Sequence, residues 1–390
     1  MVSLISSLLA LFFIIERGLK LATVIHFFRR PAPPLPERWP TISLIQPITQ
    51  GATNLELNLL SRLTLDYPAE IQHIWVCDQE DGASQAICAT LQQGKPTAAI
   101  QMVQAAPDGP RLASKVAKLQ AGLGYATGDI FCFVDDDIGL KPDALGQLIP
   151  YLQQPQAGAV FGLACAVSWN TLWSSLMSIF VNSHALLSYI PLTYCADPFT
   201  ITGHVFAISR HNFEAAGGLS GMARRIDDDH ELARRLQAIG LKSIQTPLIY
   251  HVSNELASYQ EYAGQVKRWF VFPRQAMTPH LALYQKALTY GLSLGLWLPT
   301  VAGLLALFSP SATTLLSLLL IAAIYVGVYL FCAAVYLKHS TPLSRLPLAL
   351  IVATLMPLHI LWALLVPDTT IMWRGQQLRI ERGGSFQASP

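Results

Sequence analysis

The chain reads as an α/β domain held between an N-terminal membrane anchor and C-terminal membrane helices. Three observations predict this. Short β-rich runs alternate with helical patterns over residues 41–285. One long apolar stretch opens the chain and three more close it. Hydrophobic residues make up 52% of the sequence against 13% charged, too apolar for a purely soluble protein of 390 residues. Net charge is +2 with no long basic run, so electrostatics give a nucleic-acid partner no support. Cys77, Cys88, Cys132, Cys165, Cys195 and Cys332 have neither CxxC spacing nor the density of a disulfide framework, which suits a reducing compartment and argues against a zinc site.

Residues 1–30 are expected to form the anchor, apolar apart from Glu16, Arg17 and Lys20 and followed by Arg29-Arg30. A cleaved signal peptide is disfavoured by the missing basic n-region and small-residue cleavage site. Charges in mid-span cost about 2.5–3.5 kcal/mol each on insertion scales, so these three should pair or face other helices, unless the segment is shorter and interfacial. Residues 31–40, rich in proline, read as a stiff extended linker. In the domain that follows, residues 42–48, 72–77, 99–103, 130–134 and 159–163 are predicted strands. Residues 55–65, 84–93, 115–126 and 143–152 are the helices between them, which predicts parallel crossovers. Ligands of such sheets sit beyond the C-terminal ends of the strands.

Within 286–368, residues 288–308, 314–337 and 346–366 are each long enough for a hydrocarbon core of roughly 30 Å. Arg29-Arg30 put the domain on the cytoplasmic side, the uncharged 309–313 loop outside, and Lys338, His339 and Arg345 inside again. A third full span would then carry the 369–390 tail outside with Arg374, Arg379 and Arg382, against the charge rule. Pro347, Pro357 and His359 weaken the last segment, so it is expected to be re-entrant or interfacial, with the tail cytosolic.

Four groups along the chain carry candidate chemistry. Asp135-Asp136-Asp137 follow an apolar strand. Side chains alternate along extended backbone, so Asp135 and Asp137 point the same way and can share one hard divalent cation, Mg or Mn, with substrate phosphates; a solvated charge run is the plainer reading. Asp78-Gln79-Glu80-Asp81 end another strand, where an acidic helix cap would look the same; Asp81 could accept from a base N–H. Asp227-Asp228-Asp229 open a helix over 227–239. Three acids are too many for one cap, and repulsion with partial burial should raise the pKa of one of them, making Asp229 the candidate general base. Gln265, Arg268 and Trp269 share one face of a helix by i, i+3, i+4 spacing. Arg268 would steady a leaving diphosphate and Trp269 stack under acceptor or sugar, although a membrane-skimming helix would be similar. Lys115 is a candidate phosphate contact or a plain surface lysine. Neither a P-loop nor a GxGxxG fingerprint occurs.

Together Asp81, Asp135, Asp229 and Gln265-Val-Lys-Arg268-Trp269 resemble the D, D, D, (Q/R)xxRW signature of family-2 glycosyltransferases with a GT-A (Rossmann-like) fold, and most of all the ceramide glucosyltransferase family. The stretches ISLIQPITQG, LDYP, VCDQEDGA, TGHVFAISR, AAGGL and DTTIMWRGQQLRI extend the resemblance over almost the whole chain. It implies a UDP-sugar donor with Asp81 and Asp78 near the uracil, Lys115 and Asp135 near the diphosphate, Asp135 and Asp137 at a metal, and Asp229 as base beside Asp228. His184 falls where the family has a histidine near the active site; an apolar helix would otherwise simply pack it. The implied reaction is inverting transfer of glucose to the primary hydroxyl of ceramide at the membrane, or of another sugar such as N-acetylglucosamine to a hopanoid. A polymer synthase would need more spans for an enclosed channel, a transporter would show internal repeats, and a non-catalytic scaffold has no use for all four groups.

Overall fold

The computed structural model describes residues 1–107, 114–373 and 376–388; Arg374, one of the three arginines predicted for the tail, lies outside them. Helix α1 (Val2–Arg29) is unbroken. Its mid-helix charges do pair: Glu16 lies 3.0 Å from Arg17 Nε and 2.5 Å from Lys20 Nζ, and Lys20 also donates to the Leu292 carbonyl. Residue 295 faces the Glu16 carboxylate and is glycine, because a Cβ there would collide with it. A carboxylate held among apolar helices is thus neutralised on its own helix and given room by another.

Strands and helices then alternate as β1 (Ile42–Pro47), α2 (Leu55–Leu63), β2 (Ile71–Asp78), α3 (Gly82–Gly94), β3 (Ala99–Ala105), α4 (Lys115–Leu123) and β4 (Ile130–Val134). All residues of β1 and β4 are buried on both faces, as in a sheet covered by helices on each side. Short β5 (Ile138–Gly139) leads to α5 (Ala144–Leu148), which passes into a 3-10 turn at Ile149–Gln153. The helix expected over 143–152 therefore changes character at Pro150, which has no N–H to continue an α-helical ladder. The chain continues through β6 (Ala157–Ala166), α6 (Leu172–Leu192), β7 (Val205–Ser209), α7 (Arg210–Ala215), α8 (Asp228–Ala238), β8 (Lys242–Val252) and α9 (Tyr259–Phe272). Apolar α10 (Leu283–Phe308), α11 (Ala312–Cys332) and α12 (Leu348–Leu365) follow, and the tail forms β9 (Thr370–Trp373), β10 (Gln376–Ile380) and β11 (Phe386–Ala388).

The large sheet has strand order β3-β2-β1-β4-β7-β6-β8-β5. β1 to β4 are mutually parallel, and β6 shares their direction because β7 runs antiparallel to both β4 and β6; the five predicted strands are therefore parallel as expected, and the reversed β7 between β4 and β6 is a strand not foreseen. The reversal has a consequence for chemistry. It brings the start of β7 to the edge where β1, β2 and β4 end, and the Asp135 N–H donates to the His204 carbonyl there at 2.9 Å.

Among the described residues five helices are long and apolar enough to cross a membrane: α1, α6, α10, α11 with its extension to Leu337, and α12 with the turn before it. α6 was not foreseen among them. Its length is tied to the sheet domain: the Leu256 N–H donates to Ser174 Oγ at 2.7 Å, Ser178 Oγ donates to the Ser168 carbonyl at 2.8 Å, and the Asn182 amide satisfies both backbone groups of Ala166. The C-terminal sheet folds back onto the same domain. Arg225 and Ser385 form a β-bridge, and the Phe386 N–H donates to the Arg224 carbonyl at 3.0 Å.

Candidate active site at the sheet edge

The Asp135–Asp137 turn is held from beneath. Arg62, fully buried, donates to the carbonyls of Asp135 and Ile138, and Asn58 Nδ2 donates to the Asp136 carbonyl at 2.9 Å. Burial pulls the guanidinium down to about 10, while the charges of Asp136, Asp137 and Asp135 work to keep it ionised, so it remains a cation at neutral pH. Asp136 Oδ2 accepts from the Thr49 N–H at 2.5 Å and so serves the turn itself. Asp135 and Asp137 are left facing the cleft. Asp137 Oδ1 is buried without a hydrogen-bond partner, and burial together with Asp136 and Asp135 pushes its carboxyl up to about 8. An orphaned buried carboxylate oxygen beside a second carboxylate fits a hard divalent cation. Among the described residues no three acidic, His or Cys side chains already converge into a closed cage. The donor set thus fits an ion such as Mg, held by one or two carboxylates and otherwise by substrate phosphates and water.

The Asp78 group divides into two tasks. Asp78 is buried and paired with Lys118, also fully buried, at 2.5 Å; Lys118 additionally donates to the Ile48 carbonyl at 2.6 Å. That lysine ties the ends of β1 and β2 together. Asp81 caps α3, with its Oδ1 accepting from the Ser84 N–H at 3.1 Å. Its other oxygen, Oδ2, is buried without a partner, so the capping reading accounts for only half of the carboxylate.

The third group is resolved residue by residue. Asp227 is fully buried in a two-pronged contact with Arg225, at 3.0 Å and 2.8 Å, and Glu231 takes hydrogen bonds from Arg234 and Arg235. Those acids are structural. Asp228 turns to Lys115, 4.0 Å away, and Asp229 enters the cleft beside Gly203, where a Cβ would stand 2.7 Å from its Oδ2. Burial and the neighbouring Asp228 push the Asp229 carboxyl up to about 7, against the pull of Lys115.

Lys115 joins the second and third groups. Its Nζ lies 2.8 Å from Asp135 Oδ1, donates to the Gly203 carbonyl at 3.0 Å, and reaches toward Asp228. Burial opposes its charge, but Asp135 and Asp228 more than offset this and hold the ammonium above the ordinary lysine range. A lysine predicted as either a phosphate contact or a surface residue is therefore internal, bridging both acidic groups.

Gln265, Arg268 and Trp269 lie on α9, and the Arg268 guanidinium donates to Gln265 Oε1 at 2.6 Å. Arg268, Asp135 and Lys115 all act electrostatically on His204, so the three charges lie within reach of one imidazole. Trp269 packs into the apolar cluster shared by α1, α6, α9 and the C-terminal helices, 6.5 Å from the Phe180 ring. His184 lies apart from the carboxylates, on α6. Its Nδ1 is bonded to Ser183 Oγ and the Phe180 carbonyl, its Nε2 is buried without a partner, and its ring lies 6.0 Å from Tyr325 of α11.

The residue reading missed Arg62, Lys118, Gly203 and His204. Lys118 and Arg62 sit on helical faces where a basic residue reads as solvent-exposed, and only the fold turns them inward. Gly203-His204 sit in the stretch TGHVFAISR, but nothing local marks it as the partner of Asp135.

Against known proteins, the chain is similar in structure to a mannosyltransferase from Pyrobaculum calidifontis described in complex with GDP-Man and Mn2+. The TM-score is 0.56 at 18% identity, over 93% of this chain and 99% of that one. It is also similar, more distantly, to GalNAc-T7 with UDP, GalNAc and Mn2+, with a TM-score of 0.43 at 11% identity over 65% of this chain and 55% of that one. The first likeness matches the GT-A arrangement of the sheet domain. The description Glycosyl transferase family 21 matches residues 7–386, which takes in the sheet domain, every acidic group, the Gln265–Trp269 helix and most of the tail, and the chain belongs to that glycosyltransferase family.

Proposed function

We propose that the protein is an inverting transferase that moves glucose from UDP-glucose to the primary hydroxyl of ceramide, giving glucosylceramide. The observation that carries the reading is the Lys115 bridge, which sets Asp135 of the metal-type turn and Asp228-Asp229 of the base-type helix around one cleft. In this reading Asp229 takes the proton from the acceptor hydroxyl as its oxygen attacks the anomeric carbon, and UDP leaves in a single displacement. A carboxyl poised at about 7 is matched to such a task near neutral pH. Lys115 and Arg268 stabilise charge on the departing diphosphate, and Asp81 receives the base N–H through its unpartnered oxygen. Asp135 and Asp137 would hold a divalent cation, which would neutralise charge on the diphosphate. Lys115 and Asp135 hold each other while the donor is absent, and donor binding redirects both to the nucleotide.

The acceptor comes from the bilayer. We propose that α1, α10 and α11 span it while α6 and α12 lie at its cytoplasmic face. Two contacts support this for α12. Its C-terminal end is bonded to the domain, with Arg274 donating to the carbonyls of Leu364 and Val366. The end of α11, just before its N-terminal end, meets the domain through Trp169 Nε1, which donates to His339 Nε2 at 2.9 Å. His184 and Trp269, on the membrane side of the cleft, line the approach of the lipid. Holding a membrane acceptor beside its base raises its effective concentration.

The test is a transfer assay on purified protein in detergent with radiolabelled UDP-glucose, Mg or EDTA, and either ceramide or a bacteriohopanepolyol. Lipid-soluble label on ceramide that disappears with EDTA and in Asp229→Asn is the expected result. Label only on the hopanoid, or only from UDP-N-acetylglucosamine, would keep the mechanism and replace the substrates; no lipid label from any donor would overturn the reading.

A further inference from the structure

The C-terminal sheet touches both halves of the proposed catalytic machinery. Its apolar face, Ile371, Leu378 and Ile380 with Phe386, encloses Val271 of α9 and Ile226. Val271 lies three residues beyond Arg268, and Ile226 three residues before Asp229. The backbone contacts follow the same path. The Ile226 N–H donates to the Gly384 carbonyl at 3.3 Å, the Phe386 N–H to Arg224, and the Gly383 N–H to the Gln275 carbonyl at 2.8 Å, while Lys267 of α9 pairs with Asp368 at 2.7 Å. At the centre, Gly384 lies against Asp227, whose fully buried carboxylate is clasped by Arg225. A Cβ on Gly384 would stand 2.5 Å from Asp227 Oδ1.

We infer that the C-terminal sheet is a positioning clamp for the transfer reaction, fixing the Asp227–Asp229 turn against the Arg268 helix, with the Gly384 contact to Asp227 as its seat. This rests on the transferase reading proposed for the same cleft. Neither the sheet nor Gly384 touches substrate. Asp227 carries the effect, since a carboxylate immobilised by Arg225 and by the tail backbone leaves the peptide of Asp228 and Asp229 one orientation toward Gly203. A displacement near 1 Å is enough to disable a base.

Two adjacent glycines make the test. Gly383 and Gly384 both have left-handed backbone, φ 101° and 93°, so alanine strains either one; but a Cβ on Gly383 meets nothing within 4 Å, whereas on Gly384 it meets Asp227. Gly383→Ala therefore controls for strain and loss of stability. The expected result is that Gly384→Ala lowers kcat on the order of 10- to 100-fold below Gly383→Ala, with the donor KM of the two variants equal. Hydrogen exchange of the 224–231 amides is expected to rise in Gly384→Ala alone. Equal kcat and equal exchange in the two variants would overturn the clamp, as would a kcat loss in Gly384→Ala fully accounted for by a smaller folded fraction. If the wild type transfers no sugar, the transferase reading fails, and the exchange measurement by itself decides whether Gly384 holds the turn.

Discussion

Asp229 and Asp137 show what burial does to a carboxylate. Both are raised well above an ordinary aspartate, Asp229 to about 7 and Asp137 to about 8, by burial first and by adjacent acids second. A carboxyl with a raised folded-state pKa contributes stability that is fully present below the unfolded value near 4 and is lost as pH rises through the folded value. Asp229→Asn removes that loss. The variant is expected to melt at a higher temperature than the wild type at pH 8, to match it near pH 4, and to lose transfer by roughly 10²–10⁴-fold; calorimetry over that pH range and the labelled-lipid assay check the two halves. In the proposed metal site Asp137, raised to about 8, would release a proton as the cation binds. Titration of Mg at pH 7 in buffers of different ionisation enthalpy is expected to report about one proton released per ion, falling toward none at pH 9 and in Asp137→Asn.

Among the elements, α6 has the composition of a membrane span and is bonded both to the sheet domain and to α11, where the Tyr325 hydroxyl donates to Ser183 Oγ at 2.9 Å. Asn182 makes the link to the sheet, because it satisfies the N–H and C=O of Ala166 at the end of β6. Asn182→Leu leaves both backbone groups buried and unpaired at a cost of about 1–3 kcal/mol, read as a lowered melting temperature. α4 and α2 make a similar point. α2 turns Arg62 inward to the Asp135 turn, and α4 turns Lys118 to Asp78 and Lys115 to Asp135, so the cationic counterpart of the acidic edge is partly built into the helices that cover the sheet.

For the whole molecule, the tail and the α10–α11 loop should lie on opposite sides of the membrane. In a Cys195→Ser background, which removes the exposed cysteine, a cysteine at Ser311 is expected to react with an impermeant maleimide from outside, and one at Gln387 only after permeabilisation. Labelling of both from the same side would overturn the proposed arrangement of α12. The bonds of Arg274 to the end of α12 and of Phe386 to Arg224 give the reason to expect otherwise, since they hold the tail on the domain that carries the cleft.

Local pattern was enough for the parallel strands, the apolar helices α1, α10, α11 and α12, and the positions of the four polar groups, because each depends on residues close in sequence: period-two alternation, acids at strand ends, a three-four spacing on one helix. Even the pairing of Glu16 with Lys20 follows from helical spacing. What tertiary structure alone decided was the division of labour within each group. Asp227 is held because Arg225 closes on it, Asp136 because the Thr49 N–H reaches it, and Asp229 lies against Gly203 because β7 runs backward and brings that glycine beside it. Lys115 became the joint of the site for the same reason. These assignments depend on which distant backbone and which counter-charge arrive at a carboxylate, and such contacts across tens of residues leave no local period to read.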